Sequence, residues 1–314
     1  MRTSIRIVMF CLGLTLIPRA LPAGMTFDQH FLVYTKEQGR PAGVAAEDVE
    51  KTFDRLLGAG RPVVLFIHGR GNEPGKSLEG TGIILRNVAH IEGRAVDKLQ
   101  AYDDSTVLFS WNSKRCGFLV FGLRDRTCPL AETDAGATRL DAVLKSLDHA
   151  LLKREQAHLS LPAITLVAHS MGTIVLQKFV EQHEWPRAAG HPMFTNVILT
   201  SSDADNTNHA AWVDRIGAVE HVFITVNAID PVLAESAKDE HRSGPPLGKD
   251  PGAALAATPK YVVLQLDAHE IFAKGQNRGD VENFFAALFN GHDVPLGNHL
   301  PGQDRQFPLR RTEP

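Results

Sequence analysis

From about residue 30 onward, short continuous apolar runs alternate with stripes of apolar residues at helical spacing. "HFLVYT" (30–35) reads as an opening strand. Val49, Phe53, Leu56 and Leu57 mark one face of a helix. "PVVLFIHG" (62–69) is almost unbroken, as expected of a strand buried on both faces. Ile84, Val88, Ile91 and Ala95 stripe a second helix, and "STVLFSW" (105–111) reads as the next strand. Leu140, Val143, Leu144, Leu147 and Leu151 define a long helix. "AITLVAHS" (163–170) is then a strand, and 172–181 a helix. "TNVILTS" (195–201) and "HVFITVN" (221–227) are further strands with a helix between them. "KYVVLQL" (260–266) is the last strand, and Val281, Phe284, Phe285 and Leu288 stripe the last helix. Strands alternating with helices predict an α/β domain: a mostly parallel sheet with helices on both faces. Such sheets bind ligands at the C-terminal ends of their strands.

Two stretches interrupt this rhythm. Residues 232–259 contain "SGPPLGKDPG" and are too long for a structureless connection, so a short helix or a partial cover over the site is expected there. Residues 291–314 are rich in Pro and Gly and read as a surface tail after a domain spanning 24–290.

The N-terminus changes the picture of where the chain works. Arg2 and Arg6 precede an apolar run from Ile7 to Ile17, too short to span a bilayer, and small residues Ala20 and Ala23 follow. Residues 1–23 read as a secretory signal, giving an exported, periplasmic or secreted protein with no stable membrane span after cleavage. Removing Arg2, Arg6 and Arg19, and no acid, takes Lys+Arg from 33 to 30 against 36 acids, a formal charge of −6. That balance leaves no electrostatic footprint for nucleic acid. Cleavage also removes Cys11. In an oxidising compartment the remaining close pair, Cys116 and Cys128, is expected to bridge, with a contribution of roughly 3 kcal/mol in the chain-entropy model.

The chemistry gathers at predicted strand ends. Ser170 lies between a strand and a helix, the context of a G-x-S-x-G nucleophile elbow. Gly172 keeps the motif; Ala168 replaces its first glycine, adding one methyl group at a tight turn. The Met171 N–H at the helix start would donate to an oxyanion. "HGRGN" (68–72) ends another strand, and a peptide N–H at Gly69 or, better, Arg70 would be the second donor. Asp230 in "AIDPVL" follows a late strand and could orient a histidine; Asp203 in "SSDADN" is the rival acid. His269 in "DAHEIF", between the last strand and the last helix, is the candidate base, ahead of His292 and His299.

"RGNEPGKS" (70–77) imitates a phosphate-cradling loop. Arg70 occupies the position of its first glycine, and Pro74 removes a backbone donor, so nucleotide binding is not expected. "DAD" (203–205) lacks the histidine spacing of a metal centre.

Taken together, "FIHGRGN", "LFSWNS", "LVAHSMGT", "LTSSDAD", "AIDPVL" and "DAHEIF" resemble α/β-hydrolases over nearly all of the mature sequence. They are similar in particular to bacterial members of uncharacterised function. The resemblance implies an α/β-hydrolase fold with Ser170 as nucleophile, Asp230 as acid and His269 as base. The reaction expected is hydrolysis of a small-molecule or lipid carboxylic ester through an acyl-enzyme, without metal or other cofactor. An acyltransferase or thioesterase uses the same parts. A non-catalytic binding or scaffold protein on this fold is the alternative from another class, against which stands the presence of both Ser170 and His269.

Overall fold

The computed structural model describes residues 28–34, 42–44, 48–70, 105–113, 127–186, 192–217, 219–240, 242–252, 261–265, 284–285, 287–292 and 306–308. In chain order the elements are β1 (Asp28–Tyr34), β2 (Ala42–Val44), α1 (Val49–Gly58), β3 (Val63–Ile67), β4 (Ser105–Phe109), α2 (Thr127–Ala131), α3 (Thr133–Gln156) and β5 (Ile164–His169). There follow α4 (Gly172–Gln182), β6 (Phe194–Thr200), α5 (His209–Val213), β7 (Val219–Val226), α6 (Pro231–Ser236), β8 (Tyr261–Gln265) and β9 (Gln306–Pro308). The signal-like residues 1–23, the helix stripe of 84–95, Cys116, His269 and His299 lie outside the described residues.

One sheet runs β2-β1-β4-β3-β5-β6-β7-β8-β9. β1 is antiparallel to both β2 and β4; every pairing from β4 to β9 is parallel. The predicted, mostly parallel sheet is therefore present, with an antiparallel edge. β9 draws three residues of the Pro/Gly-rich tail into the sheet beside β8. Pro308 is admissible there because an edge position does not need its missing N–H for a second neighbour.

Both faces are covered, and this explains the unbroken apolar runs. Leu65, Ile67, Leu166, Ala168, Val197, Leu199, Val222 and Ile224 belong to one contiguous core with the buried faces of α1, α3 and α4. The alternate residues Val64, Phe66, Val167, Ile198 and Phe223 are equally buried. They point to the opposite face, since successive strand side chains do. There Phe284 meets Phe223 edge to face, with centroids 5.7 Å apart. Asn196 Nδ2 donates to the Leu288 carbonyl at 3.0 Å, fastening the last helix to β6. The five leucines and valines that striped the long helix are all buried on α3. Among the described residues no helix is long and apolar enough to cross a membrane.

Strand order sets where a site can form. The chain passes from β3 to β4 on one side and returns to β5 on the other. The crevice between the C-terminal ends of β3 and β5 is thus the sheet's topological switch point. Ile67 and Ala168 are paired across it, so the "HGR" loop and Ser170 emerge side by side.

Candidate active site

Ser170 leaves β5 and turns into α4 with φ 51°, in the left-handed region. A non-glycine residue there costs about 1–3 kcal/mol and persists only when its surroundings hold it. They do. The Ser170 N–H donates to the Thr200 carbonyl at 3.0 Å. Its own carbonyl accepts from the Thr173 hydroxyl at 2.6 Å, the Thr173 N–H at 3.1 Å and the Asp203 N–H at 3.2 Å. The side chain is buried but not sealed, at 7% exposure.

The small residues around this turn have distinct duties. A Cβ at Gly172 would stand 2.6 Å from both the Ile67 and His68 carbonyls, so only glycine lets α4 start this close to the end of β3. A Cβ at Gly69 would stand 2.9 Å from the Ser170 Cβ. Ala168, where the motif usually has glycine, is fully buried in the core, in register with Ile67 and Leu199. Its methyl group has a place in the packing, so this departure from the motif does not disturb the elbow.

Met171 follows at the N-cap of α4. First-turn N–H groups have no intrahelical acceptor and face the positive end of the helix dipole. The second loop is oriented by His68, a residue to which the motifs attached no role. His68 is fully buried and stacks on Trp111 at 5.8 Å. Its Nε2 accepts the Trp111 backbone N–H at 3.0 Å, which puts the ring proton on Nδ1, and Nδ1 donates to the Gly69 carbonyl at 2.7 Å. Trp111 Nε1 closes the pair by donating to the His68 carbonyl at 2.7 Å. Across a trans peptide the next N–H points opposite to the carbonyl. Holding the Gly69 carbonyl on His68 therefore turns the Arg70 N–H away from His68. The signal for this support was a histidine before the loop glycine on one strand and a tryptophan just past the end of its parallel neighbour.

Asp230 is fully buried at the end of β7 and caps α6. Its Oδ1 accepts from the Val232 N–H at 2.8 Å and the Leu233 N–H at 3.0 Å. Pro231 in the first turn fixes the chain direction after it. Asp203, after β6, has a different setting. Its Oδ1 accepts from Ser236 Oγ at 2.5 Å and from Arg242 Nη1 at 3.2 Å. The structure thus brings Gly69, Arg70, Ser170, Met171 and Asp203 to neighbouring strand ends, with Asp230 at the end of β7 two strands beyond β5. His269 lies outside the described residues; His292 is exposed just past the last helix. Cys128 is on α2, Cys116 is outside the described residues, and no disulfide occurs among the described ones. Among the described residues no group of three or more His, Cys, Asp or Glu is disposed to hold a metal ion.

Solved structures to which the chain is similar include a lipase/esterase from Lactobacillus plantarum, 16% identical, covering 66% of this chain and 77% of that one at a TM-score of 0.34. A thermophilic carboxylesterase from a metagenomic library is 10% identical, covering 79% and 97% at 0.35. A puromycin-hydrolysing peptidase from Mycobacterium tuberculosis is 14% identical, covering 74% and 35% at 0.36. Likeness at this level has no bearing on what this chain acts on. Comparison with curated protein sequences gave no match. The family model for "alpha/beta hydrolase of unknown function (DUF900)" matches residues 45–238, which include the β3 loop, the elbow and the Asp230 turn. With more than half of its length matched, the chain belongs to this α/β-hydrolase family.

Proposed function

We propose that the protein is a serine hydrolase that cleaves a carboxylic ester through an acyl-enzyme on Ser170. The observation that carries this reading is the strained Ser170 turn, held against the Gly69 loop at the switch point of the sheet. Ser170 Oγ attacks the ester carbonyl while the His269 imidazole takes its proton. The Met171 and Arg70 N–H groups hold the oxyanion, with the Gly69 N–H as the alternative second donor. Asp230 orients the imidazole and stabilises its charged form. Collapse of the tetrahedral intermediate expels the alkoxide, which leaves as the alcohol with the proton from His269. Water, deprotonated by His269, then attacks the acyl-enzyme; the acid departs and Ser170 recovers its proton. An ester fits best because an alkoxide needs less assistance to leave than an amine. No step calls for a cofactor.

The test is reaction of the intact protein with a fluorophosphonate probe, followed by peptide mapping. Labelling at Ser170 is expected, together with hydrolysis of p-nitrophenyl esters. A folded protein that neither labels nor turns over such esters would favour the binding-protein alternative.

His68 offers a second check. His68→Ala leaves the Trp111 N–H without its acceptor and releases the Gly69 carbonyl. Stability should fall by about 2–3 kcal/mol from the orphaned donor and lost packing. Ester turnover should fall by roughly 10²–10³, the scale for loss of one oxyanion donor. Equilibrium unfolding and steady-state kinetics read the two effects separately.

Export of the mature chain, proposed from residues 1–23, is joined to the proposed Cys116–Cys128 bridge. A mass increase of about 2 Da on reduction of the secreted protein, the two hydrogens added when one disulfide opens, checks both.

A further inference from the structure

The segment after α6 is laced across the ends of β6 and β7. Gly248 N–H donates to the Ser202 carbonyl and Gly248 O accepts the Asn227 N–H, both at 2.8 Å. Leu247 N–H donates to the Ala204 carbonyl at 2.8 Å, and Leu247 itself is fully buried. A Cβ at Gly248 would come within 2.3 Å of the Ser202 nitrogen, so the strap lies as close to the β6 turn as backbone allows. The expected partial order in 232–259 thus takes the form of a short helix, α6, followed by this strap.

Arg242 opens the strap, and its side chain is 5% exposed. All three guanidinium nitrogens are engaged. Nε donates to the Gly244 carbonyl at 3.1 Å. Nη1 donates to Asp203 Oδ1 at 3.2 Å and to Ser236 Oγ at 3.3 Å. Nη2 donates to the Asp203 carbonyl at 2.9 Å and pairs with Asp205 Oδ1 at 2.5 Å. A planar fork suits this multiple grip in a way a point charge does not.

These contacts connect two parts of the catalytic machinery. Asp203 donates its N–H to the Ser170 carbonyl, so it is one hydrogen bond from the elbow. Its carboxylate grips Ser236, the last residue of α6, whose first turn is capped by Asp230. We propose that Arg242 and Ser236 are positioning residues. With Asp203 they form a buried brace that holds the Asp230 helix in fixed relation to the Ser170 elbow. The inference rests on the serine-hydrolase reading for its catalytic consequence. The brace itself is a matter of geometry. On this view Asp203 serves the acid rather than being the acid.

The experiment compares wild type, Ser236→Ala and Arg242→Lys by amide hydrogen exchange and by p-nitrophenyl ester kinetics across pH. Ser236→Ala removes one hydroxyl and keeps the ion pairs, so it tests the brace even if Arg242→Lys fails to fold. In both variants the amides of 230–236 should exchange faster while those of α3 stay protected. kcat should fall roughly tenfold or more, the scale for a small misplacement of a catalytic group, with KM little changed. The acid limb of kcat/KM should move to lower pH, because a loosened Asp230 stabilises the imidazolium less. A merely structural brace would lower stability and leave that limb where it was. Unchanged exchange at 230–236 overturns the brace, whatever the activity. Faster exchange with unaltered kcat and pH profile overturns the positioning role. A wild type that never reacts with a fluorophosphonate overturns the hydrolase reading and the positioning role with it, while exchange still decides the brace.

Discussion

Ser170→Ala is expected to abolish fluorophosphonate labelling and to lower ester turnover by about 10⁴–10⁶, the range for removal of an activated serine nucleophile. Stability should change by less than about 1 kcal/mol, since the substitution touches none of the interactions that hold the turn. The four hydrogen bonds at the Ser170 peptide all involve backbone N–H or C=O of residue 170, and alanine keeps every one. Alanine is also no worse than serine at φ 51°, because the left-handed penalty comes from Cβ, which both carry. Ser170→Gly separates the two terms. It should be equally inactive, yet more stable by about 1 kcal/mol, because glycine occupies this region without strain. A chain that gives up stability to present a hydroxyl in this conformation is behaving as functional turns do. Turnover by Ser170→Ala within tenfold of wild type would remove Ser170 from the mechanism.

Much of this frame was legible in the sequence because burial on both faces leaves a simple mark. Val63–Ile67 is a continuous apolar run and Ile164–Ala168 is apolar but for Thr165, and the structure places both in adjacent, buried strands. The elbow was legible for the same reason: a strand, a serine and a small-residue helix start are all local features. The antiparallel direction of β1 was not, since the period of its apolar residues is the same either way. β2 and β9 are three-residue edge strands whose pairing depends on neighbours and not on their own pattern. The supports of the site were hidden by distance along the chain. His68 meets Trp111 across 43 residues, and Asp203 meets Arg242 across 39. Neither pair has a local signature, and "SSDADN" with "HRSGPPLG" carries no hint that one arginine ties them. The sequence favoured Asp230 over Asp203 as the acid, with Asp203 kept as the rival because both follow strands. Their surroundings differ: a helix cap in one case and an arginine fork in the other.

Those surroundings also determine how two matched substitutions should differ. Asp230→Asn keeps a carbonyl oxygen able to accept from the Val232 and Leu233 N–H groups, and asparagine caps helices about as well as aspartate. Stability should therefore stay within about 1 kcal/mol of wild type. The charge is lost, however, and with it the stabilisation of an imidazolium and the choice of its tautomer. Turnover should fall by about 10³–10⁴, as expected when the acid of a triad is neutralised in place. Asp203→Asn inverts the pattern. It takes one carboxylate from a buried guanidinium, and breaking a buried ion pair costs about 3–5 kcal/mol. The loss should lie near the lower end, since Asp205 and the carbonyls of Asp203 and Gly244 still hold Arg242. Its turnover, measured well below its own melting temperature, should fall only roughly tenfold, through misplacement of the Asp230 turn. Unfolding curves and kinetics on the two purified variants check both halves. If Asp203→Asn were the inactive, stable variant and Asp230→Asn the active one, the acid would be Asp203 and the brace would be the catalytic apparatus itself.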